Sequence, residues 1–284
     1  MSKDSFDRRS FLKGAAASAA AMIGSQIAAT NTPPVQAAEG GAAAGEGAAA
    51  RGKMIGRPGS DYMVDVIKAT GIEYIASNPG SSFRSLQESI INYGGNKKPE
   101  FLTCTHEESS VAMAHGYAKA AGKPMGIMAH GTVGLQHATM AVYNAWCDRV
   151  PVMMFAGNFL DADKRRPGVE WYHCVQDPAL ILRDFTKWDD QPVSLQHFAE
   201  SVMRAYKIAT TVPMGPVLIT ADGDLAEEPI HDEKKLRMPK FTMSIPPQGD
   251  SGAVTEAAKL LVAAQNPVIV ADRACRSQDG IKRM

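Results

Sequence analysis

The chain has 284 residues, enough for one or two domains, and it is 45% hydrophobic and 21% charged, as expected for a globular protein with a core of its own. Lys plus Arg and Asp plus Glu balance at 30 each, so net charge gives no reason to expect nucleic acid or an anionic membrane surface as a partner. The cysteines form no CxxC pair, which argues against a zinc site or a redox dithiol and predicts isolated, packed thiols at Cys104, Cys147, Cys174 and Cys275.

Residues 1–37 resemble a twin-arginine export signal. Arg8 and Arg9 precede a mildly apolar, Ala-rich run, and Val35-Gln36-Ala37 offers small residues for a signal peptidase. The run lacks the Leu-rich character of a stable membrane span. This segment therefore predicts export of an already folded protein and a periplasmic location.

Residues 38–55 are a low-complexity stretch rich in alanine and glycine. Such a composition cannot bury a core and is typical of a flexible linker. We expect the folded protein to begin near Gly56.

Helical and strand patterns alternate from Ser60 onward. Ser60 is predicted as the N-cap of a helix through Thr70, and Gly71 as the residue that ends it. Further elements are predicted, in chain order, as strand 72–76, turn 78–82, helix 83–93, strand 101–105, helix 109–121, strand 124–129, helix 135–147 and strand 150–156. An irregular segment over 158–177, a helix with an apolar stripe from Leu195 to Ile208, and a strand over 216–219 follow.

Strands separated by helices of this length predict parallel pairing with helices on both faces. With right-handed crossovers, residues 56–228 become an α/β domain with a doubly wound parallel sheet. Residues 229–250, rich in proline and charge, are predicted as a linker. Residues 251–284 show a helix over 254–264 and a strand over 267–271, which reads as the incomplete start of a second α/β domain because about 30 residues cannot enclose a core.

Three loops leave the carboxyl ends of predicted strands, where parallel α/β sheets bind ligands. They are Asn78–Ser81, His106–Glu108 and His130–Gly134. They gather glutamate, histidine and glycine at one edge, which predicts a binding site without naming its ligand. A further acidic stretch, Asp222-Gly223-Asp224, is predicted as a turn.

The order of these motifs resembles the pyrimidine-binding domain of thiamine-diphosphate-dependent enzymes of the acetolactate synthase, pyruvate oxidase and benzoylformate decarboxylase family. The resemblance spans about residues 60–272, and its main motifs are Asn78-Pro79-Gly80-Ser81, His106-Glu107, Gly116-Tyr117-Ala118, Gly122-Lys123-Pro124, Val150-Pro151-Val152 and Gly215-Pro216-Val217. The stretch from His130 to Trp146 is most similar to the benzoylformate decarboxylase branch.

The resemblance implies that Glu107 hydrogen-bonds the aminopyrimidine ring of thiamine diphosphate, an electron sink for carbanions beside a carbonyl. Its neighbour Glu108 is expected to be a charge of the first helical turn. By the same resemblance, His130 transfers protons to substrate-derived intermediates and Ser81 contacts the substrate carboxylate.

Four further positions are implied on the cofactor side. Pro79 and Gly80 would let the backbone approach the cofactor closely. His137 stands where many relatives carry asparagine, and Val133 stands where acetolactate synthases carry proline, so ring packing and substrate class stay open. Residues 170–176 are expected near the site without an assigned role.

The family binds the diphosphate and its magnesium ion in a further domain marked by Gly-Asp-Gly and, at a distance, Asn-Asn; neither motif occurs in this sequence. The resemblance therefore implies no metal ligand here and an incomplete enzyme, which is either a partial form of a longer enzyme or one half of a split enzyme. Its expected partner is a second copy (as dimer or tetramer) or a separate diphosphate-domain subunit. The expected activity is either decarboxylation of a 2-oxo acid or an acetolactate-synthase-like carboligation. The alternative is a non-catalytic dimerisation or binding module that retains the fold.

Overall fold

The computed structural model describes residues 56–165, 168, 172–243, 245, 247–275 and 278–284. The interpretations of residues 1–37 and 38–55 lie outside the described residues. The strands are β1 (Tyr74–Ser77), β2 (Glu100–Thr103), β3 (Met125–His130), β4 (Val152–Asn158), β5 (Trp188–Asp190) and β6 (Val217–Asp222). The helices are α1 (Gly59–Ala69), α2 (Arg84–Glu88), α3 (Glu107–Ala121), α4 (Val133–Cys147), α5 (Leu195–Thr210), α6 (Gly223–Glu227), α7 (Ser251–Ala263) and α8 (Gln278–Arg283).

The six strands form one sheet in the order β2-β1-β3-β4-β6-β5, and every neighbouring pair is parallel. The predicted doubly wound parallel sheet is thereby confirmed. Strand β1 has β2 on one side and β3 on the other, so the connections leaving β1 and β3 run in opposite directions. This reversal is a topological switch point, where open α/β sheets form a crevice at the carboxyl ends of the strands.

Both faces of the sheet are covered, as expected for strands that read as continuous apolar runs. Helices α1 and α5 build the hydrophobic core on one face, and α3 and α4 build it on the other. Strand β4 is buried at all seven of its positions. On the first face, Phe155 of β4 packs 6.4 Å from Phe198 of α5, measured between ring centroids.

Helix ends follow the predicted glycines, but one predicted start is wrong. Gly71 (φ +81°) and Gly122 (φ +71°) follow α1 and α3 in the left-handed region, which glycine adopts at little cost. The N-cap of α1 is Pro58 and not Ser60. Ser60 is buried inside the first turn, where its hydroxyl lies 2.7 Å from that of Ser89, so tertiary contact rather than capping fixes its place.

Three other differences come from tertiary context. The segment 188–190 forms the edge strand β5, which its two aspartates did not suggest. Asp222 caps α6 by accepting from the Asp224 N–H at 3.1 Å, so this stretch starts a helix and is not a simple turn. Residues 267–271 are not a strand, because no neighbouring strand is there to pair with their backbone groups among the described residues.

The cysteines and the helices add two limited findings. Cys104 is buried and Cys147 is exposed, so the expectation of packed thiols holds for the first and is wrong for the second. Among the described residues, none of the helices has both the length and the apolar character needed to span a bilayer.

Candidate functional site

The three predicted loops meet at the carboxyl edge of the sheet. Asn78 follows β1, His106 and Glu107 follow β2, and His130 ends β3. Strands β1 and β3 flank the switch point, so these side chains border its crevice. The Asn78 amide nitrogen donates to Glu107 Oε1 at 3.3 Å, which ties two of the loops together.

Glu107 is the first residue of α3, yet only 2% of it is exposed. Its Oε2 is buried and has no hydrogen-bond partner among the described residues. Gly134 leaves room for the carboxylate, since a Cβ there would lie 3.1 Å from Glu107 Oε1. A buried carboxylate oxygen without a hydrogen bond is uncommon in proteins and marks a place for a donor from outside the chain. Glu108, in contrast, is exposed on the same turn, as expected.

Two histidines lie beside this carboxylate. His106 caps α3, because its Nδ1 accepts from the Glu108 N–H at 3.2 Å. His137, exposed on α4, stacks on His106 with ring centroids 4.7 Å apart and planes 9° apart, and its Nδ1 lies 3.6 Å from Glu107 Oε2. One ligand atom of each of the three residues lies within 4.8 Å of the others. Parallel stacked rings direct their in-plane lone pairs along separate planes, so we assign no metal to them.

His130 is held more tightly than a surface turn would require. Its Nδ1 lies 2.9 Å from the hydroxyl of Ser82, and a Cβ on Gly80 would lie only 2.2 Å from its Nε2. Burial lowers the pKa of the His130 imidazole below its ordinary value; the nearby charge of His173 adds to this effect, and Glu107 opposes it. The geometry therefore favours a neutral ring with a fixed orientation.

The other residues predicted for the site are placed as follows. Gly80 contacts His130, Val133 begins α4 and is half-buried, and Pro79 is exposed. Ser81 is half-buried at the start of a 3-10 turn, and its carbonyl accepts from Arg84 Nη1 at 3.3 Å. Its neighbour, rather than Ser81 itself, bonds to His130.

Sequence reasoning assigned no side-chain contact to four residues of the site: Asn78, Ser82, His106 and His173. Asn78 and His106 stand inside motifs already singled out and Ser82 directly follows one, so their neighbours were the available signal. His173 lies in a segment with no regular pattern, and its ring stacks on that of His130 with centroids 4.5 Å apart. Nothing in its local sequence predicts that contact.

Comparison with known proteins agrees with the geometry. Residues 57–176 match the family model described as "Thiamine pyrophosphate enzyme, N-terminal TPP binding domain". Residues 5–23 match the twin-arginine translocation pathway signal sequence, which implies the periplasmic location predicted above.

Two curated relatives are acetolactate synthases. The chain is 22% identical over 231 residues to the chloroplastic enzyme of Arabidopsis thaliana, covering 80% of this chain and 33% of that protein. It is 22% identical over 217 residues to the acetolactate synthase of Bacillus subtilis, covering 76% of this chain and 36% of that protein. The chain thus spans about a third of the length of these relatives.

A solved structure shares the fold. The crystal structure of benzoylformate decarboxylase from Polynucleobacter necessarius superposes with a TM-score of 0.60 and 22% identity, covering 75% of this chain and 38% of that one. At this identity the likeness concerns the fold.

Proposed function

We propose, from the premise that residues 57–176 are an N-terminal domain of the thiamine-diphosphate-dependent enzyme family, that this chain supplies the pyrimidine-binding half of an active site for 2-oxo acids. The observation that carries the proposal is the Oε2 atom of Glu107, which is buried at the switch point and has no hydrogen-bond partner within the described part of the chain. When bound, thiamine diphosphate supplies an electron sink for a carbanion formed beside a carbonyl.

Glu107 fits a ring with a hydrogen-bond donor at its edge. Burying an ionised carboxylate without compensation is costly, and a ligand donor would remove that cost. Asn78 holds the other carboxylate oxygen, Oε1, at 3.3 Å, so Oε2 keeps a fixed direction. Around it, we assign Pro79, Gly80, Val133 and His137 to contacts with the cofactor.

His130 is our candidate for moving a proton at the substrate, and Ser81 for contact with the substrate carboxylate. A neutral imidazole accepts or shares a proton at a reacting oxygen or carbon, whereas a cationic one can only donate. The lowered pKa of His130 supports the neutral form. The similarity of the stretch from His130 to Trp146 to the benzoylformate decarboxylase branch favours decarboxylation of a 2-oxo acid over carboligation. The acetolactate-synthase-like reaction is the second candidate, because two of the relatives carry that name.

We assign the diphosphate and its magnesium ion to a domain other than the one described. The sequence has no Gly-Asp-Gly followed by Asn-Asn, and the chain spans about a third of its relatives. That domain would belong to a separate subunit or to a longer protein, and we expect two copies of this fold to associate around it.

Calorimetric titration of the chain with thiamine diphosphate and magnesium tests the proposal, first alone and then with a diphosphate domain supplied in trans. We expect Glu107→Gln to weaken binding by about 10- to 100-fold, because a hydrogen bond to a charged group contributes roughly 1.5–3 kcal/mol. Glu108→Gln is the matched control, since Glu108 is exposed on the same turn. Equal binding by both variants, or no binding by the wild type in either condition, would overturn the assignment.

A further inference from the structure

His173 packs against His130 from a different part of the chain. The two imidazoles stack with centroids 4.5 Å apart and planes 25° apart. His173 is half-buried, and its Nδ1 is buried with no hydrogen-bond partner among the described residues. The pairing joins the end of β3 to a segment more than 40 residues further along the chain, so only the fold brings the rings together.

The backbone around His173 is held from two sides. Thr132, in the turn after β3, donates its hydroxyl to the His173 carbonyl at 3.0 Å. Asn158, buried at the end of β4, donates its amide to the Val175 carbonyl at 3.1 Å. Both anchors lie at the carboxyl edge of the sheet, so the segment is tied to the rim of the crevice.

Close backbone packing keeps the turn and this segment together. A Cβ on Gly131 would lie 2.1 Å from the Gly157 carbonyl oxygen and 3.3 Å from that of His173. Any side chain at position 131 would therefore push the strand end or the His173 segment away. The stacked rings therefore lie where the turn after β3 packs closely against the His173 segment.

Four groups face the His130 ring. Ser82 bonds its Nδ1, the Phe83 ring lies 5.8 Å away between centroids, Glu107 acts as a nearby negative charge, and His173 covers one face. Of these, Glu107 and His173 are the ionisable neighbours, and they act in opposite directions on the pKa of His130. His173 is therefore the one neighbour in this set that disfavours a positive charge on His130.

We propose that His173 is a positioning residue for His130, fixing the plane of its imidazole by stacking and disfavouring a positive charge on that ring. The inference rests on the proposed function, in which His130 moves a proton at a 2-oxo acid. Stacking holds the ring in one plane, so that each proton transfer at the substrate uses one fixed orientation of the imidazole. His173 itself need not touch the substrate.

The test is a pH titration of the histidine side chains by NMR, on the full chain labelled with carbon-13 histidine. His130→Gln identifies the His130 signal by its disappearance. In His173→Phe an aromatic ring remains for stacking but the ionisable group is removed, so we expect the titration midpoint of His130 to move upward. His231→Phe, at an exposed position, is the matched control and should leave the midpoint unchanged.

An unchanged His130 midpoint in His173→Phe would overturn the proposal. Should that variant fail to fold, His173→Gln also removes the ionisable group and introduces a smaller polar side chain. This readout needs no cofactor, so it is independent of the calorimetric test. If the His130 midpoint shifts but no cofactor binds, the role of His173 toward His130 is supported and the proposed function is refuted. In an active holoenzyme, His173→Phe should displace the pH profile of kcat upward and leave the KM for thiamine diphosphate unchanged.

Discussion

At the scale of single residues, Gly80 shows how closely the site is packed. A Cβ at this position would meet three atoms of the His130 ring, the nearest at 2.2 Å. We expect Gly80→Ala to displace the imidazole, to break its bond to Ser82 and to destabilise the protein by about 1–3 kcal/mol, as overpacking does. Urea unfolding measures the loss of stability, and the NMR signal of His130 reports the displacement.

Gly116 provides the matched control for that substitution. It lies in the exposed middle of α3, and a Cβ there would meet nothing within 4 Å. Gly116→Ala should therefore stabilise the protein by about 1 kcal/mol through helix propensity. Equal changes in stability in the two variants would mean that the His130 ring shifts away from the new Cβ without loss of stability.

Asp224 gives a pH dependence whose sign follows from burial. Burial raises the pKa of its carboxyl to about 6, with the charge of Asp222 as a second cause, against an ordinary value of 3.8. Because the folded-state pKa is the higher one, the folded protein holds the proton more tightly than the unfolded chain does. Folding is therefore increasingly penalised as the pH rises from 3.8 through about 6.

Asp224→Asn should remove that penalty. We expect this variant to be more stable than the wild type by about 1 kcal/mol above pH 6, after allowance for solvent screening, and to match it below pH 3.8. Urea unfolding at the two ends of this range tests it, with the exposed Asp163→Asn as control. An equal gain in stability at the low-pH and high-pH ends would mean that the charge of Asp224 is not its cause.

At the scale of elements, α5 depends on a cap that the sequence pattern alone passed over. Ser194 accepts from the His197 N–H at 3.1 Å and satisfies one of the free donors at the start of the helix. We expect Ser194→Ala to cost about 1 kcal/mol, whereas Ser194→Asp keeps an acceptor and should cost little. Thermal unfolding of the two variants side by side measures the difference, and an equal loss in both would exclude the capping role.

Element boundaries were predicted well where glycine and periodicity agree and poorly where tertiary contact decides. The Gly71 and Gly122 ends follow from local φ preferences, and the Leu195–Ile208 stripe foretold α5 because its buried face repeats with the helical period. Strand β5 has only three residues, two of them aspartates, and forms because the neighbouring β6 offers an open edge. The sequence around residues 188–190 gives no sign of that open edge.

At the scale of the whole molecule, one exposed face points to self-association. Large apolar side chains are exposed at three-residue spacing along α4, namely Met140, Tyr143 and Trp146, and Met113 is exposed on α3. Clustered exposed apolar groups on a soluble protein commonly mark an interface. The proposed pairing of two copies around a shared active site would bury this face.

Met140, which is 60% exposed, is the position at which to test that face. Met140→Glu should weaken self-association at least about 10-fold, because a charge buried in an apolar interface has no partner. Sedimentation velocity across a range of concentrations measures the change. Val193→Glu, at a loop position that is 71% exposed, is the control. If the wild-type protein stays monomeric at all concentrations, the prediction of an interface at this face is wrong.

The sequence by itself determined the α/β class, the parallel pairing and the three strand ends that carry the site, because hydrophobic periodicity and turn residues act locally. Through its motifs it also indicated the family and the residues Glu107 and His130. Tertiary structure alone decided that Ser82 bonds His130, that Oε2 of Glu107 has no hydrogen-bond partner among the described residues, and that His173 stacks on His130. These contacts join residues far apart in the chain, and their geometry depends on how strands and backbone turns pack, which no local pattern encodes.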